Sequence, residues 1–338
     1  MKLGRNEKCW CGSGLKYKKC HLGREKEPSI TSGEAISFSK SNSQRKSCYA
    51  PSILHGECEK RIINAHTISK SSSLISIADQ TNHVMGLKIN LPNLIKNKGR
   101  LYPEKIGINQ ASTFTGFCAY HDRTLFSCIE NIIFSGTPEQ CFSLMFRSLA
   151  KEIYAKEGGL RSSDFAKSAD KGRTVINQIF IQKFIQDHQL GLNAAITELT
   201  ILKNKLDEIL ISKEFSKIES LVFTFSQPLP VVVSSILSPE KDFDGNDIQD
   251  LGDLNFTPEQ VCFNAFSSEG KGYVVFSWLA NCNIIPSFID SLRAIPNDNV
   301  FDALIKFFFT KAENCFFSPC WWDGLNEAQR ENICNMIM

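Results

Sequence analysis

The stretch "KCWCGSGLKYKKCH", residues 8–21, places three cysteines, one histidine and four lysines in fourteen consecutive positions. Its candidate metal ligands are Cys9, Cys11, Cys20 and His21. Three thiolates and one imidazole form a donor set suited to tetrahedral Zn²⁺. The turn at residues 12–14, Gly-Ser-Gly, lets the backbone reverse, because glycine adopts positive φ without strain. Since few apolar residues surround the ligands, we expect metal binding to supply the folding free energy of this segment.

Residues 4–22 resemble the SEC-C motif, the zinc-binding tail of the bacterial preprotein translocase motor, which recurs as a module in many bacterial proteins. The resemblance rests on the Gly-Arg-Asn lead at residues 4–6, the Cys-x-Cys-Gly-Ser-Gly centre at residues 9–14 and the Tyr-Lys-Lys-Cys-His close at residues 17–21. Trp10 stands where the family usually has Pro. The resemblance implies a compact zinc knuckle that docks on a partner protein or the ribosome and has no catalytic role.

The N-terminal segment is strongly basic. Residues 1–46 contain eleven Lys and Arg and four Asp and Glu, a formal charge of +7 in a chain whose total is +2. Such a segment favours acidic partners, either a nucleic acid or an acidic protein surface. The candidate contact residues are Lys16, Lys18 and Lys19. The alternative role of these lysines is to keep a solvated knuckle soluble.

A second group of cysteines and histidines lies between residues 48 and 122. Its candidate ligands are Cys48, Cys58, Cys118 and His121. Two ligand pairs that are distant in sequence can share one zinc ion if the intervening chain returns to its start. The interval between Cys48 and Cys58 is wider than the usual spacing, and His55 is an alternative ligand for either cysteine.

Residues 48–122 also resemble the treble-clef finger of HNH-type endonucleases. The resemblance implies that the four ligands hold structural zinc, while His66 is the general base, Asn109 orients it, and Asp122 binds a catalytic Mg²⁺ or Mn²⁺. The sequence departs from the family in three ways: the second pair is Cys-x-x-His, Asp122 replaces the last histidine, and Asn109 lies unusually far before Cys118. Two other roles for His66 are a zinc ligand and a histidine held by backbone hydrogen bonds.

The composition is that of a soluble globular protein, with 42% hydrophobic and 22% charged residues. The first thirty residues contain no apolar signal core, and no apolar run has the length of a spanning helix. Thirteen cysteines, an odd number, in a chain without an export signal favour metal ligation and reduced thiols over disulfides. We therefore expect a bacterial, cytoplasmic protein.

The pattern of apolar residues predicts an α+β fold with five parts. They are a zinc knuckle at 1–23, a flexible linker at 24–46, a Cys/His treble-clef-like unit at 47–135, a helical region at 136–216 and a C-terminal α+β domain at 217–338. The length of 338 residues agrees with more than one core. The knuckle is thus predicted to be a module on a flexible tether.

Periodicity gives the elements of the C-terminal two thirds. We predict a helix from 137 to about 156 that stops at the Gly158-Gly159 pair, followed by an antiparallel pair of helices near 172–189 and 192–213. Strands are predicted at "SLVFTFS" (220–226), "PVVVSSIL" (230–237), "QVCFNAF" (260–266) and "KGYVVFSWLA" (271–280). Covering helices are expected near 298–312 and 325–337.

Three functions agree with these patterns. The first is a zinc-binding protein whose N-terminal module recognises a protein or a nucleic acid. The second is a metal-dependent HNH-like nuclease that uses His66 and Asp122. The third is a scaffold in which both zinc ions are inert.

Overall fold

The computed structural model describes residues 3–87, 97, 100–253 and 256–337, and its architecture is α+β. The α-helices are α1 (Ser32–Ser43), α2 (Ile75–Ile77), α3 (Ala119–Leu125), α4 (Ser127–Glu130), α5 (Pro138–Ala166), α6 (Val175–Ser212), α7 (Ile285–Arg293), α8 (Asn297–Lys311), α9 (Pro319–Gly324) and α10 (Glu327–Met336). The strands are β1 (Ile62–His66), β2 (His83–Gly86), β3 (Glu104–Gly107), β4 (Thr113–Cys118), β5 (Ile218–Phe225), β6 (Val231–Leu237), β7 (Val261–Ser268), β8 (Lys271–Leu279) and β9 (Cys315–Phe317). Among the residues that the structure describes, every helix is either too short or too polar to span a lipid bilayer.

The chain forms two structural units. The N-terminal unit comprises the residues up to Lys46 together with Ile153–Ile201, and the sheet unit comprises Ser47–Glu152 together with the residues from Leu202 onward. Helices α5 and α6 each contribute residues to both units. The five predicted domain limits stay predictions.

In the N-terminal unit, the segment predicted to be a flexible linker contains helix α1. Thr31 and Glu34 form a capping box at its start, in which the Glu34 amide donates to Thr31 Oγ1 and the Thr31 amide donates to Glu34 Oε2. The Phe38 ring stacks on Phe165 with the ring centroids 4.2 Å apart. Residues 32–43 of the predicted linker are therefore helical, with local capping and one aromatic contact, while the linker itself stays a prediction.

Helix α5 begins as predicted, because Thr137 and Gln140 form the expected reciprocal hydrogen bonds. It does not stop at the two glycines but continues to Ala166. A Cβ at Gly158 would lie 2.7 Å from Arg45 Nη1, and one at Gly159 would lie 3.4 Å from Leu192 Cδ2. These glycines therefore permit close packing within the N-terminal unit and do not end the helix.

The predicted antiparallel pair near 172–189 and 192–213 is also wrong, since α6 is one continuous helix. Gly191 lies inside it with open space around its Cα. A glycine in a helix interior costs only about 1 kcal/mol relative to alanine, so it does not end a helix of this length.

The sheet unit contains a seven-stranded sheet in the order β3-β2-β9-β6-β7-β8-β5, with every neighbouring pair antiparallel. The four predicted strands correspond to β5–β8, and the two predicted covering helices correspond to α8 and α10, so these predictions are confirmed. Strands β2 and β3 come from the region assigned to the treble-clef-like unit, yet they belong to this same sheet.

Alternate side chains of the sheet face two layers. Val231 and Val233 join the main core with helices α7 and α8, where the Phe263 and Phe307 ring centroids are 4.8 Å apart. Val232 faces the opposite layer and packs with Leu74 and other residues of the 68–77 segment.

Candidate metal centres

The first Cys/His cluster is built on a small hairpin followed by a 3₁₀ turn. The Cys9 amide donates to the Leu15 carbonyl oxygen at 2.8 Å, and Gly12 and Gly14 make the turn with φ of +73° and +74°. A 3₁₀ helix at Tyr17–Lys19 then brings the second ligand pair back to the first. The ligand atoms of Cys9, Cys11, Cys20 and His21 all lie within 4.8 Å of one another and can hold a metal ion.

The His21 ring is oriented by contacts on both of its nitrogens. Its Nδ1 lies 3.2 Å from Cys9 Sγ and 3.1 Å from Cys20 Sγ. Its Nε2 lies 2.8 Å from Oδ2 of Asp170, a carboxylate that is fully buried. A metal-binding histidine commonly donates its other N–H to a carboxylate, which fixes the ring and strengthens the ligand.

Asp170 is tied to the knuckle by a network within the N-terminal unit. Arg24 Nε donates to Asp170 Oδ1 at 2.6 Å, and Gln182 Nε2 donates to Asp170 Oδ2 at 2.7 Å. Gln186 Nε2 donates to the Cys11 carbonyl oxygen at 2.5 Å. The sequence analysis missed Asp170, which lies 149 positions from His21, and no local pattern marks it.

Comparison with known proteins agrees with this geometry. A family model, the SEC-C motif, matches residues 5–23. The motif predicted for residues 4–22 is therefore confirmed, with a Cys/His cluster that can hold a metal ion. No curated protein and no solved structure matches the chain.

Trp10, the residue that replaces the usual Pro of the SEC-C motif, packs on the candidate ligand His21. Its ring centroid lies 4.4 Å from that of His21. The expected contact residues Lys16, Lys18 and Lys19 are exposed, and none of them forms an ion pair with any residue that the structure describes.

The thiols of the SEC-C motif titrate as a group. Burial, together with the neighbouring thiols, raises the pKa of Cys9 to about 12 and also raises the pKa of Cys20. Burial acts in the same direction on Cys11, but hydrogen bonds from Ser13 and Cys20 outweigh it and lower the pKa of that thiol. Without metal, Cys11 is therefore favoured as the thiolate, while Cys9 and Cys20 are favoured as thiols. Binding of a metal ion by all three sulfurs must displace the protons of these thiols.

The second cluster joins distant parts of the sheet unit. Cys48 and Cys58 flank a 3₁₀ helix at Ser52–Glu57, Cys118 ends β4, and His121 lies in the first turn of α3. His121 Nδ1 lies 3.4 Å from Cys48 Sγ, 3.4 Å from Cys58 Sγ and 3.3 Å from Cys118 Sγ. The four ligand atoms lie within 4.8 Å of one another.

The alternative ligand His55 does not belong to this second cluster. Its Nε2 donates to the Ala50 carbonyl oxygen at 2.9 Å. The buried Nε2 of His121 has no hydrogen-bond partner among the described residues, in contrast to the Nε2 of His21. The second cluster thus lacks the carboxylate that orients the histidine of the SEC-C motif.

Strands β1 and β4 pair antiparallel, with Ile62 opposite Cys118 and His66 opposite Thr113, and α3 follows β4 directly. This arrangement places His66 at the end of β1, where its Nε2 donates to the Ile108 carbonyl oxygen at 3.0 Å. Asn109 is exposed in the turn after β3 and makes no hydrogen bond to His66 in the described structure.

Asp122 follows the ligand His121, and its Oδ1 is buried without a hydrogen-bond partner. Burial raises the pKa of the Asp122 carboxyl, while the positive Arg147 partly offsets this effect. Burial lowers the pKa of His66, which favours the neutral imidazole. Among the described residues, neither His66 nor Asp122 belongs to a group of three metal-type side chains.

Proposed function

We propose that this protein binds two structural zinc ions and that its SEC-C motif recognises an acidic surface of a partner protein. The observation that carries the proposal is the set of three exposed lysines without ion pairs beside the first cluster. A Cys₃His donor set is typical of closed, four-coordinate zinc sites, which leave no position for a substrate. Zinc then has the role of holding the lysines in a fixed arrangement.

A protein partner is favoured over a nucleic acid by the apolar residues among the lysines. Leu15 is 51% exposed and Leu22 is 42% exposed on the same small motif. A surface that combines basic and exposed apolar side chains fits an acidic protein face with an apolar centre, whereas phosphodiester contacts need charge and hydrogen bonds alone.

The test is charge reversal of Lys16, Lys18 and Lys19 to Glu in the full-length, zinc-loaded chain. We expect binding to a fluorescent poly-glutamate peptide, measured by anisotropy, to weaken at least tenfold, since each reversal replaces an attraction by a repulsion. A matched control reverses the exposed Lys271, Lys306 and Lys311 of the sheet unit.

Equal losses in the two triple variants would contradict a specific role of the motif. Tighter binding of a single-stranded oligonucleotide than of the peptide, lost in the same variant, would assign the surface to nucleic acid instead. Zinc content is measured for each variant, so that loss of the metal is not mistaken for loss of a contact.

A second candidate function is phosphodiester hydrolysis with His66 as the base, and the hydrogen bond from its Nε2 favours it. Because a carbonyl oxygen can only accept, Nε2 carries the proton and Nδ1 of the neutral ring is the basic nitrogen. The unpartnered Asp122 Oδ1 fits the single carboxylate with which proteins often hold Mg²⁺. When bound, such an ion would stabilise negative charge on a phosphate.

For this candidate, His66→Ala is expected to lower Mn²⁺- or Mg²⁺-dependent cleavage of plasmid DNA or RNA by at least about 10²-fold. The zinc content and thermal unfolding of the variant should match those of the original chain. The base acts in its unprotonated form, and burial lowers the pKa of His66. The cleavage rate should therefore decline only when the pH is lowered below about 6.5, the usual pKa of histidine.

The control for hydrolysis is His83→Ala, because His83 lies on β2 and the Nδ1 of its ring contacts the hydroxyl and the carbonyl oxygen of the neighbouring Thr81. The control variant should cleave at the original rate. Absence of metal-dependent cleavage in the unaltered, zinc-loaded protein would reject the hydrolase candidate and leave the recognition proposal untouched.

A further inference from the structure

A small cavity of about 40 Å³ opens in the sheet unit beside Thr67, the residue after His66. Its polar lining includes Thr67, Ser69, Ser72, Ser73 and Arg147. The volume corresponds to a few water molecules and is far below that of a pocket for a drug-sized ligand. The cavity therefore suits one small polar group.

One wall of the cavity is the start of a helix. A π-helical turn at Lys70–Leu74 continues directly into α2. The first backbone hydrogen bonds of this helix are donated by the amides of Ser73 and Leu74, both to the Ser69 carbonyl oxygen. The preceding amides, of residues 70–72, have no acceptor among the described residues, so they are free to bind an anion at this positive helix end.

The cavity lining also includes a buried guanidinium. Arg147 of α5 is 2% exposed, and its Nη1 lies 2.5 Å from Glu130 Oε1. Its Nε is buried and has no hydrogen-bond partner among the described residues. A buried donor without an acceptor costs about 1–3 kcal/mol, and a ligand oxygen in the cavity would satisfy it.

The charged side chains of the cavity lining are Glu130 and Arg147, which pair with each other, so further positive charge comes from Lys70, the residue after the lining residue Ser69. Glu130 is turned toward Arg147 and accepts a long hydrogen bond from Ser69 Oγ at 3.4 Å, so its carboxylate is already engaged. Lys70 is the exposed first residue of the π-helical turn, and its ammonium group forms no ion pair in the described structure. It adds a positive charge at the start of the helix. The Thr67 and Ser69 hydroxyls already donate, each at 3.4 Å, to the Ser112 carbonyl oxygen and to Glu130 Oε2. The Ser72 hydroxyl lies 3.4 Å from Ser73 Oγ and can turn to donate to an anion instead.

We propose that this cavity binds a phosphate-type oxyanion, and that the group it receives is a phosphodiester of a nucleic-acid strand. The cavity admits the phosphate oxygens but not a base, so it holds the backbone without reading sequence. His66 does not line the cavity, but it interacts electrostatically with Glu130 and Arg147 of the lining, so the candidate base lies near the anion site. The choice of a phosphodiester rests on the hydrolase candidate, whereas the oxyanion site itself does not.

The site is tested by isothermal titration of the full-length, zinc-loaded protein in buffer without Mg²⁺ or Mn²⁺. The two probes are inorganic phosphate and a thymidine dinucleotide. Ser72→Asp places a negative charge at the helix start, where it stabilises the helix but repels an anion. We expect this variant to lose at least tenfold in affinity for the dinucleotide while its unfolding temperature is unchanged or higher.

The matched control is Ser76→Asp, an equally exposed residue of α2 that does not line the cavity, and it should bind as the original chain does. Failure of both probes to bind, or equal binding by Ser72→Asp and the original chain, would overturn the proposal. Binding of phosphate without the dinucleotide would overturn the phosphodiester assignment and leave a site for free phosphate. The titration contains no divalent ion, so it measures binding without hydrolysis. Loss of the metal-dependent cleavage in His66→Ala, assayed separately with Mg²⁺ or Mn²⁺, together with intact binding in the titration, would separate the two ideas.

Discussion

Removal of zinc is expected to unfold the SEC-C motif, residues 5–23, while the seven-stranded sheet remains folded. The buried residues of this segment are Cys9, Cys11 and His21, and all three are candidate ligands. A segment that buries only its ligands has no apolar core to hold it once the metal leaves. Structural zinc sites of this kind contribute about 10–16 kcal/mol of apparent binding free energy at pH 7, which then serves as folding free energy.

The measurement combines elemental analysis with amide hydrogen exchange before and after treatment with a strong chelator. We expect two zinc ions per chain before treatment and loss of protection at residues 5–23 and in the β1–β4 pair after it. The control is Cys320→Ser, which removes an exposed thiol of α9 and should change neither result. Unchanged exchange at residues 5–23 in metal-free protein would show that the motif folds without zinc, and a single zinc ion per chain would remove the second site.

The first Cys/His cluster that can hold a metal ion could be predicted from the sequence because its members are local. Cys9, Cys11, Cys20 and His21 fall within one short segment whose turn glycines are visible in the sequence. The second cluster needed the further assumption that the chain between Cys58 and Cys118 returns to its start. The antiparallel pairing of β1 with β4 provides that return.

The pairing of strands that are far apart in the chain could not be predicted, because no local stretch of sequence specifies it. Strands β2, β3 and β9 are short and join one sheet from positions more than two hundred residues apart. Helix α1 is different, since the capping box at Thr31 and Glu34 was a readable signal within the segment taken for a linker. The glycines of α5 show a third case, because a packing role and a helix stop look alike in sequence.

Asp170→Ala is expected to lower the stability of the N-terminal unit by about 3–5 kcal/mol, the usual effect of leaving buried charged partners without their counterpart. Its carboxylate is fully buried and accepts from His21, Arg24 and Gln182. The same change should weaken zinc binding at the SEC-C motif by 10–100-fold, as loss of an outer-shell carboxylate does elsewhere. Zinc affinity is measured by competition with a chromophoric chelator, and stability by urea unfolding.

The comparison that decides this prediction is with Asp187→Ala. Asp187 lies on α6 in an exposed i,i+4 ion pair with Lys183, so its loss should cost no more than about 0.5 kcal/mol and leave zinc affinity unchanged. Asp170→Asn should fall between the two, because the amide keeps one acceptor oxygen but turns a donor toward His21 or Arg24. If Asp170→Ala instead matches Asp187→Ala in both measurements, the carboxylate does not support the metal site. The coupling of the SEC-C motif to the distant Asp170 would then be a contact without an energetic role.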